Sequence, residues 1–188
     1  ILSGLFIMVL LLYLNIRNVK AVLMILSVII LSLVSMNGFM GWMFFFTQDT
    51  IFNFTMISTS MPIVLLTIAN SDGVHVVTHF FKQLKQKQDN KLAISSTMSA
   101  MGLPIFLTSL TTIIAFLAMI YAPITQLMGY GIVVSFGIFW AWFLSNSLLP
   151  SMLLLSRWDL KANFISKLGF LEKCINSLGN IIFHYPRR

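Results

Sequence analysis

Apolar residues fill this chain in long runs separated by short polar stretches. The runs lie at about 1–16, 21–40, 61–81, 103–122 and 127–155, close to the roughly 20 residues an α-helix needs to cross bilayer hydrocarbon. The pattern predicts an all-α, polytopic transmembrane helix bundle of five spans. Pro62 and Pro104 are expected in the first turns of their spans, where a missing N–H costs little. Asn37, Gly38 and Gly41 are expected to loosen the end of the second span. The aromatic-rich stretch 42–60 suits a membrane interface. In the tail, Trp158, Leu160, Phe164, Ile165, Leu168 and Leu171 mix with Lys161, Lys167, Glu172 and Lys173 at roughly helical spacing. That spacing predicts a C-terminal amphipathic interfacial helix leading toward a further span. The expected organisation is a transmembrane bundle over 1–156 and a cytoplasmic segment over 157–188.

Composition supports lipid as the main solvent. Of 188 residues, 58% are hydrophobic and 9% charged, against about 25% charged in a soluble domain. The net charge of +7 raises the question of nucleic acid, but its placement argues against that partner. Arg17 and Lys20 follow the first run; Lys82, Lys85, Lys87 and Lys91 follow the third; Arg157, Lys161, Lys167, Lys173, Arg187 and Arg188 follow the fifth. Five alternating spans bring all of these to one side of the membrane. The other side, 41–60 and 121–126, has no Lys or Arg and a single acid, Asp49. The positive-inside rule makes the basic side cytoplasmic. Cys174 is alone, so no disulfide framework is expected. The start at Ile1, inside an apolar run and without a basic n-region, reads as a truncation rather than a signal peptide. A start on the outer side also calls for an earlier span upstream.

The third run, PIVLLTIANSDGVHVVTHFF (62–81), carries the chemistry. Asp72 sits near its middle, where an acid costs about 2.5–3.5 kcal/mol on insertion scales. His75 at i+3 and His79 at i+7 share its helical face; Ser71 flanks that face and Asn70 points away. One reading is a proton relay through Asp72, His75 and His79. The alternative is a structural polar cluster that hydrogen-bonds neighbouring helices. A metal site on the same three residues is a third reading, but an intramembrane metalloprotease would want Glu directly after the first His, and Val76 holds that place. Thr108, Thr111 and Thr112 either reach Asp72 or line a water path, or bond back to their own helix. Gly129, Gly137, Ala141 and Ser145 form a small-residue helix-packing face. Lys82, Lys85, Lys87 and Lys91 read as a solvated loop, with anionic lipid headgroups as a second reading. No phosphate-binding Gly loop, nucleophile constellation or Cys metal pattern is present, so neither an enzyme nor a cofactor is expected.

The run IANSDGVHVVTHFFKQ resembles the fourth transmembrane helix of RND-superfamily exporters, in particular the MMPL or hydrophobe (lipid) exporter branch. That helix carries an Ala-Asp-Ser-[Ile/Val]-His type of signature, matched here by Asp72, Val74 and His75. The run from Phe106 to Leu155 resembles the fifth and sixth helices. It carries Leu-Thr-Thr and Ala-Phe-Leu within 110–117, Pro123, Gly129, Gly137 and Leu-Leu-Pro at 148–150. The resemblance covers nearly the whole chain, as helices two to six of one six-helix half, an architecture shared with sterol-sensing domains. It implies a proton-motive-force-driven exporter of lipids or other hydrophobic molecules in the bacterial inner membrane, with Asp72 as the proton-coupling acid. It also implies a first helix and periplasmic domain upstream and a second half-repeat downstream. The implied partners are membrane lipids, a hydrophobic substrate, protons and that second half; a homo-oligomer is left open. Where members often place Tyr after the Asp, this chain has Gly73, and His75 is the alternative partner. A lipid-sensing or scaffolding module of the sterol-sensing type, without transport, is the other reading. An intramembrane enzyme using Asp72 and the two histidines is a third.

Overall fold

A computed structural model describes residues 8–10, 12, 13, 16, 18–47, 50–156 and 158. Within them the chain forms four long helices: α1 (Val19–Thr47), α2 (Met61–Lys87), α3 (Asn90–Leu117) and α4 (Thr125–Leu155). All four are long and apolar enough to cross a membrane. Short 3-10 turns, Thr50–Phe52, Ile57–Ser60 and Ala118–Tyr121, join them at one end of the bundle. Among the described residues there is no strand. The described residues of the first predicted span are helical, and Met8, Leu12 and Ile16 are buried at four-residue steps, so that segment packs one face inward. The chain divides into two compact units, Ile1–Arg157 and Trp158–Arg188. The second, and with it the amphipathic helix expected over 157–188, lies outside the described residues apart from Trp158.

The helices are 27 to 31 residues long, about 40–47 Å at 1.5 Å per residue. Bilayer hydrocarbon is about 30 Å thick. α1, α2 and α4 extend past the apolar stretches that mark them in the sequence, while α3 starts at Asn90, well ahead of its own stretch, and ends at Leu117, inside it. This overturns two expectations. α1 continues through Asn37, Gly38 and Gly41 to Thr47, with the Asn37 side-chain amide donating to the Leu33 carbonyl at 2.8 Å. Pro62 does lie at the start of α2, but Pro104 sits inside α3. The residues before it, from Asn90, are less apolar than the run that follows, yet they wind into helix with Ala93, Ile94 and Thr97 burying one side. Pro104 thus has no N–H to give the carbonyl of Ala100 in mid-helix.

A two-residue turn links α2 to α3. Gln88 caps α2 in the left-handed region at φ 55°. The Asp89 carboxylate then accepts from the Lys91 backbone N–H at 2.9 Å and caps α3. Asp89→Ala is expected to cost about 1 kcal/mol of local stability. Hydrogen exchange in the first turn of α3 should then quicken by about fivefold; unchanged exchange there would show that the cap contributes nothing.

α4 is the centre of the bundle. In its most apolar stretch 56% of the residues are buried, against 11% for α3, which is therefore an edge helix. A helix that is apolar all round is at home in such a central place. Small residues let each neighbour come close to α4. Gly129 packs on the Ile51 backbone carbonyl, and Gly131 on that of Phe116. At Gly137 an added Cβ would lie 2.9 Å from Met36 Sδ and 3.3 Å from Leu65 Cδ2. Ala141 and Ser145 continue the buried side. Gly129 thus meets a 3-10 turn and not a helix, while Gly137 meets α1 and α2. The hydroxyls of Ser60 and Tyr130 lie 3.2 Å apart at the Gly129 end. At the other end the Asn90 amide donates to the Ser156 carbonyl at 3.4 Å, and Ser27 Oγ lies 3.7 Å from Met152 Sδ. These contacts and the helix order bring Lys20, Lys82, Lys85, Lys87 and Lys91 to one end of the bundle. The Lys87 ammonium there bonds the Ser96 hydroxyl.

Candidate functional site

α2 buries Leu65, Ala69, Asp72, Gly73, Val76, Val77 and Phe80, in steps that keep one side of the helix inward. Asp72 is on that packed side, 8% exposed. Gly73 lets α1 approach, because a Cβ there would lie 2.9 Å from Ile25 Cγ2. A tyrosine ring at this position would run into Ile25, which gives a packing reason for glycine beside the acid. On its other side Asp72 faces α3, where the buried Ser109 hydroxyl donates to Asp72 Oδ2 at 3.5 Å, a long hydrogen bond.

Between α2 and α3 lies a cavity of about 460 Å³. Its polar lining comes from Thr67, Ser71, Asp72 and His75 on α2 and from Thr108, Ser109 and Thr112 on α3; Pro104 and apolar side chains complete it. Thr67, Ser71 and His75 recur every four residues and are exposed on the side of the bundle. They make a polar stripe, with the carboxylate one position inward from it.

The predicted residues separate accordingly. Asp72, His75, Ser71, Thr108 and Thr112 share the cavity. His79, half-buried, is one turn beyond His75 and does not line it; its Nδ1 lies 3.3 Å from Thr97 Oγ1. Thr111 is also outside the lining and donates to carbonyls of its own helix, Leu107 at 3.0 Å or Thr108 at 2.9 Å. Thr108 and Thr112 bond back in the same way, to Ile105 at 2.9 Å and Thr108 at 2.7 Å. The cross-helix hydroxyl that reaches Asp72 is Ser109, which inspection of the threonines alone passes over. Its signal is a stripe, Thr97, Met101, Ile105, Ser109, at strict four-residue spacing. That stripe shows only once α3 is known to start at Asn90. Among the described residues no three His, Cys, Asp or Glu side chains gather closely enough to hold a metal ion.

The described fold and site define a class: a multi-pass helical membrane protein with a carboxylate buried between two spans. The chain belongs to the MMPL family, whose family model it matches over residues 1–168. Comparison with curated proteins and with solved structures found no match.

Proposed function

We propose that this chain is membrane-embedded machinery of a proton-motive-force-driven exporter of lipids or other hydrophobic molecules, with Asp72 as the proton carrier and His75 and His79 as its relay partners. The observation that carries this reading is the environment of Asp72. The acid is buried in mid-span, lines a cavity that also holds His75, and receives one neutral hydroxyl. An acid in mid-membrane is expensive and by default functional. A serine hydroxyl both donates and accepts. Ser109 can therefore donate to the carboxylate and accept from the carboxylic acid, so the site accommodates both protonation states without rearrangement. Membership of the MMPL family supports transport as the role of this acid. The lysines gathered at one end support a cytoplasmic placement of that end in a bacterial inner membrane.

The test uses the full-length protein in phospholipid vesicles with a trapped pH-sensitive dye. Under an imposed pH gradient, vesicles with protein are expected to lose the gradient several times faster than protein-free vesicles, and faster still when a fluorescent lipid is supplied as a transport probe. Decay at the protein-free rate with and without the probe would refute proton coupling. Such a result would favour the lipid-sensing reading.

A further inference from the structure

The contact between His79 and Thr97 lies outside the cavity around Asp72. Thr97 is buried, 1% exposed. Its hydroxyl donates to the Ala93 carbonyl, one turn earlier in α3, at 2.8 Å. A threonine hydroxyl has a single proton to give. With that proton directed to Ala93, Oγ1 faces His79 Nδ1, 3.3 Å away, as an acceptor. In that arrangement Nδ1 carries the hydrogen. The opposite tautomer would have to draw the hydroxyl proton away from the shorter bond to Ala93, 2.8 Å against 3.3 Å. In the neutral ring Nε2 is left bare, as the nitrogen at which a further proton can land.

We propose that Thr97 is a positioning residue that holds His79 as its Nδ1–H tautomer, making Nε2 the atom that takes up and releases the relayed proton. The inference rests on the relay reading above. His79 stands one turn beyond His75 toward the lysine-bearing end of α2. A ring free to choose its tautomer would offer either nitrogen; one held by Thr97 offers the same nitrogen at every cycle. The proton balance is simple. Nε2 gains a proton, the ring becomes imidazolium, the same proton leaves from Nε2, and Nδ1–H stays on Thr97 throughout.

The experiment is nitrogen NMR of full-length protein labelled at histidine, at a pH where the ring is neutral, with the His79 signals assigned by their loss in His79→Gln. The wild type is expected to show hydrogen on Nδ1 and a bare Nε2. Thr97→Ser keeps the hydroxyl and should preserve this pattern, with gradient decay in vesicles within about twofold of wild type. Thr97→Val keeps the shape without the hydroxyl. It should move hydrogen to Nε2 and slow the decay about tenfold, in line with the loss of other groups that fix a histidine tautomer. Hydrogen on Nε2 in the wild type would overturn the assignment without reference to any variant. So would an unchanged tautomer in Thr97→Val. A changed tautomer with wild-type decay would overturn the positioning role. Failure of the relay itself is distinguishable: Asp72→Asn would then retain wild-type decay while its His79 signals still showed Nδ1–H.

Discussion

Asp72→Asn is expected to bring gradient-driven export by the full-length protein down to the protein-free background while leaving membrane insertion and yield unchanged. The amide is close in size to the carboxyl group and can still accept from Ser109, so the packing of α2 on α1 and α3 is kept. What it loses is the ability to bind and release a proton in the working pH range. Asp72→Leu sharpens the test. An acid near mid-span costs about 2.5–3.5 kcal/mol on insertion scales, so its replacement by leucine should ease insertion of α2 and still abolish export. Gain of insertion with loss of export would separate the working of Asp72 from its cost to insertion, and the Asn variant, which keeps the packing, separates it from a structural role. The measurement is dye-reported gradient decay and lipid-probe efflux in vesicles, normalised to protein content. Wild-type export by Asp72→Asn would remove Asp72 from the mechanism.

Gly129→Ala is expected to destabilise the bundle by about 3 kcal/mol, toward the upper end of overpacking costs, whereas Gly38→Ala should stabilise it by about 0.5–1 kcal/mol. Both substitutions add one methyl group to a long helix. At Gly38 nothing lies within 4 Å of the new carbon, so alanine contributes only its lower conformational entropy in the unfolded chain. At Gly129 the new carbon would fall against the backbone carbonyl of Ile51. A backbone atom cannot swing aside as a side chain can, so either the turn Thr50–Phe52 or the start of α4 must shift. The midpoint of thermal unfolding of the full-length protein in detergent reports both effects. Equal midpoints for the two variants would show that the Ile51 turn is not held on α4.

The contrast between these glycines also shows how far the sequence could be read. Gly38 and Gly41 look alike to Gly129 and Gly137 along the chain; what separates them is which neighbour arrives at each. The same limit applies at the site. Asp72, His75 and Ser71 were legible because a helical period places residues of one continuous segment on a common face. Ser109 and Thr97 were not, because their roles arise from α3 lying beside α2. The threonines drew attention by their number, yet their hydroxyls bond to their own helix.

By itself the sequence determined the helical class, the membrane as solvent, four of the apolar segments now seen as long helices, and the acid in the third run. These follow from local quantities: run length, the cost of exposing backbone polar groups to lipid, and helical spacing. Only the tertiary structure decided where the helices end, that Pro104 lies inside α3, that α4 is central, and that Ser109 answers Asp72 across the cavity while Thr97 answers His79. Hydropathy senses the hydrocarbon slab and not the helix that outruns it, and hydrogen bonds between helices depend on rotation and register that a one-dimensional pattern does not contain.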